Sequence, residues 1–437
     1  MRTHFVIALF AACASAPLAA QAPAPAAVQH ALPGNAAANV VRDVIGVVRK
    51  DYVFPDRADA IVKRLETGLA SGRYATANPA ELSERMSTDL RESSGNDGHM
   101  YINFNPEEAS ALARPRAEGG PDLAFFREQM TAANHGIAEL RILPGNVRYM
   151  NISQWFWDPA SSPRVYDDAM RFLRDGDAIV VDISGNGGGS AEAVNYLVSH
   201  FMEPDRKLMT FRAGPSEVEE TRTQRIAAGR ITGKPLVVLI GPRSASASEE
   251  FASHIKHFRL GTLVGRTTAG AGNPNTLFPV AHGFVVSVST GTAVHPVTNK
   301  GWEGEGVAPD WAVEPSKAID LAHLEALRAA LATASPQRRP SLEWMIAALT
   351  NDAGSAPVTA AQLRSFAGSY EGERLVTERS GRLYWQRGKG PEFELIPLGG
   401  NRFALGDRFG TRIEFEAAGL QIFRPATAAE RVARVAS

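Results

Sequence analysis

The sequence predicts a mixed α/β core, with a helical bundle before it and a small all-β domain after it. Three observations predict this. Between residues 136 and 265, short apolar runs alternate with helical stretches across glycine turns, the pattern of an α/β layer with mostly parallel strands. From Val40 to Glu92, apolar residues recur at three- and four-residue steps, as helices require. Beyond Pro357, short strand-like runs alternate with glycine turns, which suits a small barrel or sandwich.

The first residues look like an address rather than a fold. Arg2 gives a positive start, Phe5–Ala12 is apolar, and small residues follow to Ala20. Residues 1–20 are therefore expected to be a secretory signal cleaved before Gln21. The apolar stretch is too short to span a membrane as a mature helix. Cys13, the single cysteine, lies inside it, and its acylation after Phe10-Ala11-Ala12 is the less favoured reading because Phe10 is bulky there. The mature chain then carries no cysteine, no disulfide and no Cys-ligated metal, and is expected to be periplasmic or secreted. A formal net charge of −1 gives no electrostatic footprint for nucleic acid or anionic membrane.

Residues 21–35 are Ala/Pro-rich and expected to be a disordered linker. A three-helix bundle follows over 36–95. Val40, Val44, Val47 and Val48, then Ile61, Leu65 and Leu69, then Leu82, Met86 and Leu90 form its stripes. Pro55, Ser71-Gly72 and Asn78-Pro79 punctuate it. The α/β core is expected over 96–315, with strands at Ala138–Leu143, Val147–Ile152, Ala178–Asp182, Leu236–Ile240 and Thr262–Val264. Pro163–Arg174 and Ala193–Phe201 read as helices, and Phe278–Val297 as β-rich. A helical linker over 316–354 leads to the β domain over 355–425.

Chemistry concentrates at three breaks. Leu236–Ile240 reads as a strand buried on both faces, and Ser244-Ala245-Ser246-Ala247-Ser248 then opens a helix marked by Phe251, His254, Ile255 and Phe258. One N-cap needs one hydroxyl, so three in alternation ask for more. A serine there has first-turn N–H groups beside it and the positive end of the helix dipole beneath it. Ser246 is the candidate nucleophile. The turn Gly185–Gly189 follows another buried strand; its spacing does not fit a dinucleotide loop, and it suits backbone N–H groups brought close to a reacting carbonyl. His99 stands where Ser93–Gly98 leads into a strand, a place expected to be exposed. His254 and His257, three residues apart without a metal-binding signature around them, read as helix-surface residues.

Four ordered segments together resemble the tail-specific (C-terminal-processing) serine proteases, in the branch with the tricorn core and the retinoid-binding-protein repeats. They are Asp97-Gly98-His99; Val181–Gly189; Ser244–Phe251 with Val264–Gly270; and Trp302–Asp310. Tyr52-Val53-Phe54-Pro55 resembles the bundle of the same branch. The resemblance spans roughly residues 40–315. It implies a spiral of β-β-α units like that of crotonase, with Ser246 as nucleophile. It also implies an oxyanion hole of Gly187, Gly188 and the N–H of Ala247. The larger group uses a lysine base 25 residues after its serine; here that position is Ala271, and no lysine lies between Lys256 and Lys300. The tricorn-like branch supplies the base as histidine, at the position of His99. That branch also uses a glutamate matching Glu303 and a serine just before the histidine, where this chain has Gly98. Only 36 residues separate His99 from Gly136, so no PDZ domain fits there.

The expected activity is hydrolysis of unstructured peptides or protein tails by a serine endopeptidase that needs neither cofactor nor metal. The alternative is a non-catalytic module that binds a lipophilic ligand or peptide, as the retinoid-binding repeats do.

Overall fold

A computed structural model describes residues 31–114, 124–213, 217–350, 358–425 and 427–435. The expected signal segment, with Cys13, and most of the Ala/Pro-rich linker lie outside the described residues. No helix among the described residues is long and apolar enough to cross a membrane. The chain divides into two compact units. One is built on the residues up to Arg141 with Tyr149–Asp175 and Val180–Ala318, the other on Ile142–Arg148, Gly176–Ile179 and the chain from Ile319 onwards.

In the first unit, helices Ala36–Asp51, Pro55–Ala70 and Pro79–Ser93 form the expected bundle. Each buries the stripe its spacing predicts, through Val40, Val44 and Val48, then Ile61 and Leu65, then Leu82, Met86 and Leu90. The third helix starts at its Asn-Pro pair: the Asn78 side chain accepts from the Ala80 and Glu81 N–H groups, and Pro79 sits where no N–H is needed. The bundle shares its core with Phe284, Val286 and Val288, alternate residues of the strand Phe284–Ser289. Each such side chain contributes about 1.5–3 kcal/mol when buried. The same strand pairs antiparallel with Tyr101–Phe104, Tyr101 lying opposite Ser287. His99 is thereby held two residues before the strand that anchors it.

A six-stranded sheet runs in the order Trp311–Ala312, Thr262–Gly265, Leu236–Ile240, Ala178–Asp182, Val147–Ile152, Ile137–Leu143. Leu236–Ile240 is buried at every position and runs parallel to Thr262–Gly265, which is itself parallel to Trp311–Ala312. The two neighbours Ala178–Asp182 and Leu236–Ile240 are each followed by a turn and a helix, Ala191–Ser199 and Ala247–His257. The fold is thus the mixed α/β core expected, with its helical bundle and its β domain.

In the second unit, Gly145 and Asn146 turn the chain with φ of 83° and 61°. Helix Arg339–Thr350 is tied to the β domain: Trp344 Nε1 donates to Phe409 O at 3.2 Å, and the Arg412 guanidinium lies 3.8 Å above the Trp344 ring. Eight strands from Gly368–Tyr370 to Glu430–Ala433 run in sequence order, each hydrogen-bonded to the next. The first and last meet, with Glu371 N–H donating to Ala433 O at 3.0 Å and Val435 N–H to Ser369 O at 2.9 Å. Of the two expected forms, this is a closed barrel, which leaves no long edge exposed. Trp385, Phe403 and Phe415 fill its interior. Its last strand lies past the expected limit at residue 425.

Candidate active site

The serine turn is strained where the chemistry is expected. Ser246 has φ 54° and ψ −119°, a backbone region that costs a non-glycine residue about 1–3 kcal/mol. Its N–H donates to Glu249 Oε2 at 3.0 Å, and the preceding Ala245 N–H donates to Asn186 O at 3.2 Å. The three serines then part company. Ser244 and Ser248 are fully buried, whereas Ser246 is only half-buried. Ser244 Oγ donates to Ile183 O at 2.7 Å and accepts from Gly241 N–H at 3.0 Å. Ser248 Oγ accepts from Trp155 Nε1 at 2.8 Å. The outer pair brace the turn, and the middle hydroxyl stands at the helix N-terminus.

The glycine turn lies against it. Gly188 and Gly189 have φ of 117° and 136°, and a Cβ on Gly189 would sit 2.2 Å from Trp155 O. A Cβ on Gly187 would meet nothing within 4 Å, so that residue borders open space. The Gly188 N–H already donates to Asn186 Oδ1 at 2.9 Å. Among the described residues, the Gly187 and Ala247 N–H groups have no protein acceptor.

Asp97, His99 and Glu303 form the third part, their side-chain ligand atoms all within 4.8 Å of one another. His99 is not exposed as its position suggests; it is 1% exposed, because strand Tyr101–Phe104 and its partner pull the preceding residues under the 271–273 segment. Burial pushes the ring down to about 4, against the Asp97 charge and a hydrogen bond to the Asn273 backbone, which favour its protonation. Asp97 carries no role in the sequence reading, yet it is buried and well bonded. Its Oδ1 accepts from His99 N–H at 3.0 Å and Ser289 Oγ at 2.9 Å, and its Oδ2 from Asn273 Nδ2 at 3.3 Å. A Cβ on Gly98 would come 3.0 Å from that of Ala271, so a serine at 98 would crowd the residue standing in the lysine position.

Two carboxylates bind the segment 268–273. Glu249 accepts from Thr268 Oγ1 and Gly270 N–H, each at 2.6 Å, and from Ala271 N–H at 2.8 Å. Glu303 Oε2 accepts from Gly272 N–H at 2.6 Å and Asn273 N–H at 2.8 Å. The Ser246 turn, through Glu249, and the Asp97 and Glu303 carboxylates are therefore joined through one backbone segment. The signal for Glu249 was its place three residues after Ser246, where a capping-box acid belongs. Nothing local in the sequence signals Asn273.

Glu303 is held up at about 7 by burial first and by Asp97 next, despite its two N–H donors. A carboxyl raised in this way keeps its proton longer in the folded chain than in the unfolded one. It therefore subtracts stability as pH climbs from the ordinary carboxylate range through about 7. Glu303→Gln keeps an oxygen for both N–H groups and removes the charge. Its melting temperature relative to wild type is expected to be higher by about 5 °C at pH 8 than at pH 5. Equal differences at the two pH values would count against this assignment.

His254 corrects the sequence reading. It is fully buried, not on the helix surface, because Phe258 and His295 stack around it with ring centroids 5.6 and 5.3 Å away. Burial holds it at about 3. Its Nε2 lies 3.4 Å from Glu250 Oε1. Among the described residues, the one group placed to hold a metal ion is Asp97, His99 and Glu303.

The model of peptidase family S41 matches residues 146–313, which include the glycine turn, Ser246 and Glu303 but not His99. A carboxyl-terminal-processing protease of Synechocystis is 28% identical over 177 residues, 39% of each chain. The carboxy-terminal processing protease CtpB of Bacillus subtilis is 22% identical over 285 residues, 60% of this chain and 57% of that one. The chain thus spans between about a third and just over half of the length of such relatives. Among solved structures, a lipoprotein from Streptococcus agalactiae superposes with a TM-score of 0.46 at 15% identity, covering 67% of this chain and 96% of that one. The chain resembles the carboxy-terminal-processing proteases, as its motifs lead one to expect.

Proposed function

We propose that this chain is an exported serine endopeptidase that hydrolyses peptide bonds in unstructured peptides or protein tails. Ser246 Oγ attacks the carbonyl while His99 takes its proton, and His99 later returns that proton to the leaving amine. The oxyanion forms at the N-terminus of helix Ala247–His257, toward the N–H groups of Ala247 and Gly187, with Gly188 fixing the turn. Glu303 stabilises the charged histidine, and it does so only once ionised. His99, held at about 4, is already neutral at lower pH, so activity is expected to rise as pH passes about 7.

The observation that carries this reading is Ser246 itself. A binding module has no use for a half-buried serine held at φ 54° between two committed serines at a helix start. Strain of this kind belongs to a nucleophile presented on a strand-to-helix turn. The test treats the signal-free chain with a fluorophosphonate probe and, separately, with a pool of unstructured peptides. Labelling mapped to Ser246 together with cleavage is the expected result. No labelling and no cleavage would favour the lipophilic-ligand or peptide-binding module.

A further inference from the structure

An acid three residues into a helix ordinarily serves as a cap, bonding one N–H of the first turn. Glu249 holds more than that. We propose that it is a positioning residue for the nucleophile: its buried carboxylate holds Ser246 in its strained conformation and locks that turn to the segment 268–271. Glu249 touches no reacting atom and acts through the main chain of Ser246. Its catalytic meaning rests on the peptidase reading above; its hold on residue 246 does not.

Glu249 is 0% exposed, and its carboxylate accepts two hydrogen bonds on each oxygen. Oε2 takes the Ser246 N–H at 3.0 Å and the Ala271 N–H at 2.8 Å. Oε1 takes the Gly270 N–H and the Thr268 hydroxyl, each at 2.6 Å. A buried carboxylate is tolerated where donors fill it in this way. Its main chain grips the same serine a second time, the Glu249 N–H donating to Ser246 O at 2.8 Å. Beside these bonds the Ala269 N–H donates to Ser244 O at 3.0 Å. The segment is backed in turn by the loop that follows Glu303. Thr268 Oγ1 accepts from the Val307 N–H at 2.6 Å, and the Gly304 N–H donates to Gly270 O at 2.8 Å. An N-cap residue ordinarily has extended backbone angles, so capping alone does not call for φ 54° at Ser246. A serine keeps such a conformation only where its surroundings over-determine it. Glu249 supplies that hold by bonding the turn on one oxygen and a segment 22 residues further along the chain through both.

Two variants of the full chain test this. Glu249→Ala frees the Ser246 N–H and lets residue 246 relax. Its rate of fluorophosphonate labelling, per folded molecule, is expected to fall about 100-fold. Glu249→Gln keeps an oxygen for Ser246 and Ala271 and turns its NH2 toward the Thr268 hydroxyl, at the expense of the Gly270 N–H. It should melt below wild type yet label within about fivefold of it. A merely structural residue would leave labelling per folded molecule unchanged in both variants. The second readout needs no activity. Ser246→Gly removes the strain, so it should raise the melting temperature of wild type by about 2 °C and leave that of Glu249→Ala unmoved, because residue 246 is no longer held there. Glu249→Gln still holds it and should respond as wild type does, so this variant carries the test if the alanine variant does not fold. An equal rise in wild type and Glu249→Ala overturns the proposal. So does folded Glu249→Ala that labels at the wild-type rate, or Glu249→Gln more than about tenfold slower than wild type. Wild type that never labels sinks the peptidase reading alone, and the melting comparison then decides whether Glu249 holds the turn.

Discussion

Ser246→Ala is expected to lower kcat for peptide hydrolysis by about 10⁵- to 10⁶-fold while the protein melts near the wild-type temperature. The attacking atom is gone, and the oxyanion donors and substrate binding alone sustain only a small residue of catalysis. The neighbouring serines should behave in the opposite way. Ser244→Ala deletes a hydroxyl that joins Ile183 O to Gly241 N–H, and Ser248→Ala leaves Trp155 Nε1 buried without its acceptor. Each should cost about 1–3 kcal/mol of stability and still label with the probe once folded. Ser246→Gly is the sharpest companion. It should be as inactive as alanine yet more stable by about 1 kcal/mol, since glycine adopts φ 54° without strain. An active Ser246→Ala, or labelling on Ser244 or Ser248, would mean that the wrong serine was chosen.

The strand-to-helix turn that carries Ser246 was legible in the sequence because its signals are local. A buried strand, a run of small residues and a helical stripe lie within about twenty residues, and the strand-to-helix turn they imply is the one observed. The glycine turn was legible for the same reason, although only the three-dimensional contacts separate Gly187, bordering open space, from Gly188, whose N–H is taken. Asp97 and Asn273 stand 176 residues apart, and no periodicity connects them. What joins them is the pairing of Tyr101–Phe104 with Phe284–Ser289, a register that composition does not announce. His254 fails as a surface residue for a related reason. Helical spacing shows which residues share a face, but the burial of that face depends on His295, far along the chain. The β domain was readable as strands and turns, while its closure into a barrel depends on hydrogen bonds between its two ends.

His99→Ala is expected to reduce turnover about as severely as Ser246→Ala, because in the proposed mechanism nucleophile and base act as one unit and their losses do not add. The double variant should therefore be little slower than either single one. His99 suits the task in both of its states. Burial keeps it neutral and ready to accept a proton at any pH above about 4. In the proposed mechanism Asp97 and Glu303, both within 4.8 Å, then face the imidazolium that forms. The other histidines of this unit make the control. His257→Ala should retain most activity, since it removes a half-buried ring packed 5.1 Å from His295. His254→Ala should act through stability instead: it opens a cavity beside Phe258 and leaves the buried Glu250 carboxyl without its histidine. A loss of about 2–4 kcal/mol is expected there, with kcat of the folded fraction nearly unchanged. Turnover at about pH 8, normalised to the folded fraction from denaturant melts, separates the cases. If His99→Ala works as fast as wild type, the base lies elsewhere; if His254→Ala alone abolishes kcat while folding normally, the buried histidine pair takes its place.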